Sequence, residues 1–128
     1  MRKEINQPKT VYKATTYTHA IKKNGIVFIS GQVSKDVEGK LVGYGDINAQ
    51  AEQVFKNLRE VTEAAGGTLR DIVKLTIYST NVAFYRPGIT QVRDRLFNEE
   101  PPATTFVVVT SLSDPYLLLE VEAIAMVD

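Results

Sequence analysis

The chain has 128 residues, a length that fits one domain (1–128) able to bury a hydrophobic core without staples. It has no cysteine, which excludes disulfides, thiolate nucleophiles and thiolate metal sites. Lys plus Arg and Asp plus Glu number 15 each, so no global field draws the protein toward a phosphate backbone. No apolar run reaches the roughly 18 residues of a membrane span, and no secretory signal pattern opens the chain. The expectation is a soluble cytoplasmic protein with neither a membrane nor a nucleic-acid partner.

In chain order, Arg2 to Ile5 reads as a first strand ending at Asn6-Gln7-Pro8. Lys9 to Thr16 is polar and irregular. Tyr17 to Lys22 alternates and leads into Asn24-Gly25, a strong hairpin signal because a type I′ turn needs positive φ twice. Ile26 to Ile29 is the return strand, running into Ser30-Gly31-Gln32. Gly31 there marks a bulge, a close backbone approach or simply a strand end. Lys35 to Val42 reads as a small hairpin or loop turning at Glu38-Gly39.

Asp46 to Ala65 is the clearest helix, with Ile47, Ala51, Val54, Phe55, Leu58, Val61 and Ala65 forming one apolar stripe. Asp46 is a good N-cap and Gly66-Gly67 a left-handed stop. Ile72 to Tyr78 is a strand in which Ile72, Lys74, Thr76 and Tyr78 oppose Val73, Leu75 and Ile77. Arg86-Pro87 starts a second helix, buried through Ile89, Val92, Leu96 and Phe97, and Pro101-Pro102 stops it.

Two strands close the chain, Thr105–Thr110 and Leu117–Val127, around a turn of Ser111, Ser113, Asp114 and Pro115. Leu117, Leu119, Val121, Ala123, Ala125 and Val127 share a uniformly apolar face that belongs in a core. The opposite face carries Glu120 and Glu122, about 7 Å apart at a rise of about 3.4 Å per residue. Paired carboxylates can do acid–base work, although Glu on a strand face is more commonly solvated. Phe106 to Val109 is apolar on both faces. Two helices cover only one side of such a sheet, so the other side is expected to meet another copy of the chain.

His19 is the only histidine. Without cysteine or a second histidine it makes a poor metal site, and no triad partner can be placed for it, so it reads as a strand histidine near the surface. No Gly-rich phosphate loop occurs. Tyr12, Tyr17, Tyr44, Tyr78, Tyr85 and Tyr116 could line a pocket, yet strand tyrosines are usually core or rim residues.

Four blocks read together carry a resemblance: Tyr17-Thr18-His19-Ala20-Ile21, Phe28-Ile29-Ser30-Gly31-Gln32, Glu63-Ala64-Ala65-Gly66 with Asp71-Ile72-Val73-Lys74, and Pro102-Ala103 with Glu120-Val121-Glu122-Ala123-Ile124-Ala125. In this order, over nearly the whole length, the chain resembles the YjgF/RidA family of reactive intermediate deaminases. The resemblance implies an α+β, chorismate-mutase-like mixed β-sheet with two helices on one face, assembled as a homotrimer. It also implies small-molecule clefts between subunits, hydrolysis of enamines or imines, and no metal or bound cofactor. By position, Tyr17, Ser30, Gly31 and Glu120 match the family's cleft residues, and Glu120 is the residue expected to accept a proton or hold the attacking water.

The sequence departs from the pattern at Thr104. Active imine deaminases read Pro-Ala-Arg there, the arginine clamping the substrate carboxylate, whereas this chain reads Pro102-Ala103-Thr104. A neutral hydroxyl replaces a bidentate cation, and charge-assisted bonds are worth about 1.5–3 kcal/mol each. Phe106 stands where many members carry a cysteine. Thr104 and Phe106 are therefore expected to shape an altered substrate-binding cleft, for a ligand that either lacks a carboxylate or turns it toward Lys74, Arg86 or Arg93. An enzyme acting on C=N or enamine bonds is the first reading and a non-enzymatic metabolite-binding module the second. RNA cleavage is disfavoured by the balanced charge and single histidine.

Overall fold

The structure, a computed structural model, describes residues 4–128. Strand β1 (Glu4–Asn6) leads to β2 (Ala20–Lys23) and β3 (Ile26–Gln32), followed by helix α1 (Ile47–Ala64) and strand β4 (Ile72–Ser79). Helix α2 (Thr90–Leu96) and strands β5 (Ala103–Val108) and β6 (Leu119–Met126) complete the chain. Residues 2 and 3 of the expected first strand lie outside the described residues. The six strands form one mixed sheet in the order β1-β2-β3-β6-β4-β5. Among the described residues its only parallel pair is β4 with β5, the pair whose connection carries α2 and can span the crossover that parallel strands need.

The β2–β3 hairpin turns where its sequence places it, with Asn24 at φ 53° and Gly25 at φ 77°. The preceding strand is shorter than Tyr17 to Lys22. Gln7 intervenes, its side-chain oxygen accepting the His19 N–H at 2.8 Å and its amide donating to the Tyr17 carbonyl at 3.3 Å. Side-chain bonds thus replace the start of the ladder with β1. Lys35 and Leu41 bridge a small loop that turns through Gly39 at φ 83°.

Helix α1 is capped by Asp46, whose carboxylate accepts the Ala49 N–H at 3.1 Å, and is followed by Gly66 at φ 92°. Ala51, Val54, Phe55, Leu58 and Val61 are buried against the sheet as expected. The same helix also buries Gln50 and Asn57. Gln50 donates to the Gly43 and Tyr116 carbonyls and accepts the Leu118 N–H at 2.8 Å. Asn57 donates to the Val33 and Lys35 carbonyls at 3.0 Å each. Two buried amides thus tie the loops after β3 and before β6 to α1.

Three expectations need correction. Helix α2 begins at Thr90, not at Arg86-Pro87. Arg86 is extended (φ −120°, ψ 127°), since a residue before proline is pushed out of the helical region, and the Arg86–Pro87 bond is cis. In β4 the alternation slips, because a register shift against β6 between Ile72 and Lys74 turns Ile72 into the core and exposes Val73. The rest of β4 alternates as read. Strand β5 also begins two residues earlier than expected, at Ala103.

Both helices pack on one face, where Val27, Ile29, Leu75, Ile77, Leu119, Val121, Ala123 and Ala125 form the core with α1, Ile89, Val92 and Phe97. The opposite face carries Phe28, Glu120, Glu122 and Met126, with no helix among the described residues over it.

Candidate active site

The site begins at an interruption in the sheet. Pairing of β3 with β6 runs regularly from Ile26 to Ile29, then shifts before Gln32 pairs with Val121, so Ser30 and Gly31 bulge opposite Glu122, with the Glu120 side chain lying against Gly31. A β-carbon on Gly31 would lie 2.5 Å from the Glu120 Oε2 and 2.6 Å from its Cδ. Only glycine lets the carboxyl group lie against the backbone there, which settles the three readings of Gly31 as bulge and close approach together. The Ser30 hydroxyl donates to the Thr18 carbonyl at 2.7 Å, pinning the bulge to the segment that carries Tyr17.

Glu120 is half-buried, and burial pushes its carboxyl group above the ordinary carboxylate range, with the nearby Glu122 charge adding to the effect. Glu122 itself accepts the Tyr78 hydroxyl at 2.5 Å, and that bond holds the Tyr78 phenol above its ordinary value. A pocket of about 350 Å³ opens in front of Glu120, lined by Tyr12, Tyr17, Ser30, Gly31, Val33, Lys35, Ser113 and Glu120. Four residues singled out in the sequence, Tyr17, Ser30, Gly31 and Glu120, therefore meet in one place.

Val33, Lys35 and Ser113 were not singled out as members, and Tyr12 was named only among the six tyrosines that could line a pocket. Tyr12 is buried at 5% exposure, and its hydroxyl oxygen accepts the Val33 N–H at 3.2 Å. Burial raises the phenol's pKa, and Tyr17 and Glu120 push the same way, so Tyr12 stays a neutral donor across the physiological range. Its only sequence signal was a large side chain in an otherwise polar, irregular stretch.

His19 is not at the surface. It is 1% exposed, its Nε2 donating to the Tyr12 carbonyl at 2.7 Å and its Nδ1 accepting from the Gln32 amide at 3.2 Å. The ring packs edge-on against Tyr12 and Tyr17, at centroid separations of 5.0 and 5.9 Å. Both ring nitrogens are committed, so His19 is a bracket for the two tyrosines. Among the described residues no three His, Cys, Asp or Glu side chains gather as metal ligands.

Thr104 and Phe106 lie elsewhere in the chain. Their partners in β4 are Leu75 and Ile77, both buried on the helix side, so the two residues point away from the face that carries Glu120. The Thr104 hydroxyl donates to the Pro102 carbonyl at 2.9 Å. Phe106 stacks on Tyr85 at 4.1 Å, and Arg86 and Arg93 sit 5.4 and 5.5 Å from the centre of the same Tyr85 ring. Lys74 is on the open face, but its ammonium donates to the Thr105 hydroxyl at 2.6 Å. None of Lys74, Arg86 and Arg93 lines the Glu120 pocket.

A six-stranded mixed sheet with two helices on one face and a carboxyl group set against a glycine bulge places the molecule in the chorismate-mutase-like α+β class. The chain belongs to the YjgF/RidA family: the family model described as "Endoribonuclease L-PSP" matches residues 7–127. The 3-aminoacrylate deaminase RutC of Acinetobacter baylyi is 34% identical over 128 residues, covering 99% of this chain and 100% of the relative. The 2-iminobutanoate/2-iminopropanoate deaminase of Dermatophagoides farinae is 29% identical over 124 residues, covering 97% and 95%. Among solved structures, the Rid family protein YyfA of Yersinia pestis superposes with a TM-score of 0.93 at 35% identity, covering 98% of this chain and 100% of that one.

Proposed function

We propose that the protein is a hydrolytic deaminase of small imines or enamines, with Glu120 as its acid–base group. The observation that carries this reading is the Glu120 carboxyl group, raised in pKa by burial and held against Gly31 in the wall of a pocket of about 350 Å³. A carboxyl group that keeps its proton to higher pH can protonate an imine nitrogen or an enamine carbon. The resulting carboxylate then takes a proton from water as its oxygen bonds to the C=N carbon. Collapse of that carbinolamine breaks the C–N bond and releases a carbonyl compound and ammonia, with one water consumed. The relatives named as 3-aminoacrylate and 2-iminobutanoate deaminases support this chemistry for the family to which the chain belongs.

The cleft is completed by a second subunit in a homotrimer. The open sheet face, with Phe28 53% and Met126 57% exposed, supports an assembly that covers it. In that assembly the Thr104–Phe106 segment of one subunit meets the Glu120 pocket of its neighbour, which accounts for its position away from Glu120 within one chain. RNA cleavage is not favoured, because the only histidine has both ring nitrogens committed internally. Ammonia release from 2-iminobutanoate and 3-aminoacrylate generated in situ tests the proposal, with Glu120→Gln as control. Turnover no faster than that of the control would leave the second reading, a metabolite-binding module, which the neutral Thr104 supports.

A further inference from the structure

We infer that Lys35 is the anion-binding residue of the Glu120 pocket, holding the carboxylate of a small ligand whose reacting carbon lies toward Glu120. The inference rests on the reading of that pocket as the ligand site and adds to it a determinant of specificity. Lys35 is the only cationic residue in the pocket lining. Its backbone is pinned on three sides: the N–H donates to the Val33 carbonyl at 2.8 Å, the carbonyl accepts the buried Asn57 amide at 3.0 Å, and a bridge joins it to Leu41. The base of the side chain is therefore placed by α1, with little freedom to drift from the pocket.

The ammonium, by contrast, has no ion-pair or hydrogen-bonded partner among the described residues. Lys40, Arg70, Arg93 and Arg95 are instead paired with Glu38, Glu99, Asp94 and Glu52. The nearest acid in sequence, Asp36, is turned into its own loop, where one carboxylate oxygen accepts the Glu38 and Lys40 N–H groups at 2.9 and 3.0 Å. Glu120 does not neutralise Lys35 either, since its shift is upward and arises from burial and Glu122. The pocket lining thus holds both the Glu120 carboxyl group and an unpaired cation, together with the hydroxyls of Tyr12, Tyr17 and Ser113. That pattern fits a ligand with a polar reacting centre at one end and a carboxylate at the other. Thr104, a neutral hydroxyl spent on the Pro102 carbonyl, leaves this charge to Lys35.

The test compares binding of 2-oxobutanoate and its uncharged amide to the intact protein by ligand-observed NMR at low and high salt. Wild type is expected to prefer the carboxylate by about tenfold or more at low salt, a preference that salt weakens. Lys35→Met should abolish the preference and Lys35→Arg should retain it, with unchanged melting temperatures showing that both variants are folded. The inference is overturned if wild type shows no such preference, or if Lys35→Met keeps it. Ammonia release is read separately: carboxylate preference without turnover supports the role of Lys35 and removes only the deaminase reading.

Discussion

Leu119, Val121, Ala123 and Ala125 are at most 4% exposed, while Glu120, Glu122, Ile124 and Met126, interleaved with them on β6, lie on the face that no helix of the described residues covers. One face is finished within a single chain, closed by α1 and α2 at core density. The other is left with two carboxyl groups, a tyrosine and exposed apolar side chains. Core packing and the proposed acid–base chemistry thus fall on alternate residues of one strand, so that each should be alterable with little effect on the other.

The sharpest way to break this comparison is to substitute neighbours on opposite faces. Glu120→Gln should lower ammonia release at least about 100-fold, because the amide cannot exchange the proton, and leave the melting temperature at neutral pH unchanged or higher. Leu119→Ala should cost about 2–5 kcal/mol in denaturant unfolding, the usual range for a buried leucine. A strongly destabilised Glu120→Gln protein would show that the two faces are not separable.

Gly31→Ala tests the join between them. Its β-carbon would displace the Glu120 carboxyl group, so activity should fall nearly as far as in Glu120→Gln while circular dichroism shows the fold retained. Assembly tests the open face directly. Sedimentation should show a trimer at micromolar concentration, and Thr104→Arg should raise imine turnover by about tenfold through one added charge-assisted bond. A monomer, or an inactive but trimeric arginine variant, would separate Thr104 from the cleft.

Smaller is the pH effect. Glu120 holds its proton more tightly folded than unfolded, so folding stability should fall as pH rises from the ordinary carboxylate range through the raised value. Thermal melts across that window should show this contribution in wild type and lose it in Glu120→Gln. Smallest of all is a difference between two turns. Gly66 and Gly39 both hold positive φ, 92° and 83°; an added carbon at Gly66 would meet only the Lys22 Nζ, at 3.7 Å, and one at Gly39 nothing within 4 Å. Each substitution should cost about 1 kcal/mol, and matched melting temperatures would bear that out.

Much of this molecule is written in short-range pattern. The Asn24-Gly25 turn, the α1 stripe with its Asp46 cap, and the two faces of β6 each follow from spacing within a few residues, where sterics and periodicity act regardless of what lies across the fold. The convergence of Tyr17, Ser30, Gly31 and Glu120 was legible only through resemblance, since they lie up to a hundred residues apart in the sequence. Other features were decided by pairing between distant segments. The slip in β4 arises from its register against β6, and the burial of His19 from Tyr12 and Gln32 closing around the ring. Gln50 and Asn57 read as the polar side of a helix until loops from both ends of the chain supply carbonyls and an N–H for their amides. Lys35 carried no local signal because an unpaired charge becomes notable only when a carboxyl group from the far end of the chain shares its pocket. Propensity and alternation act between neighbours, whereas desolvation and hydrogen-bond completion depend on whichever groups the fold brings into contact.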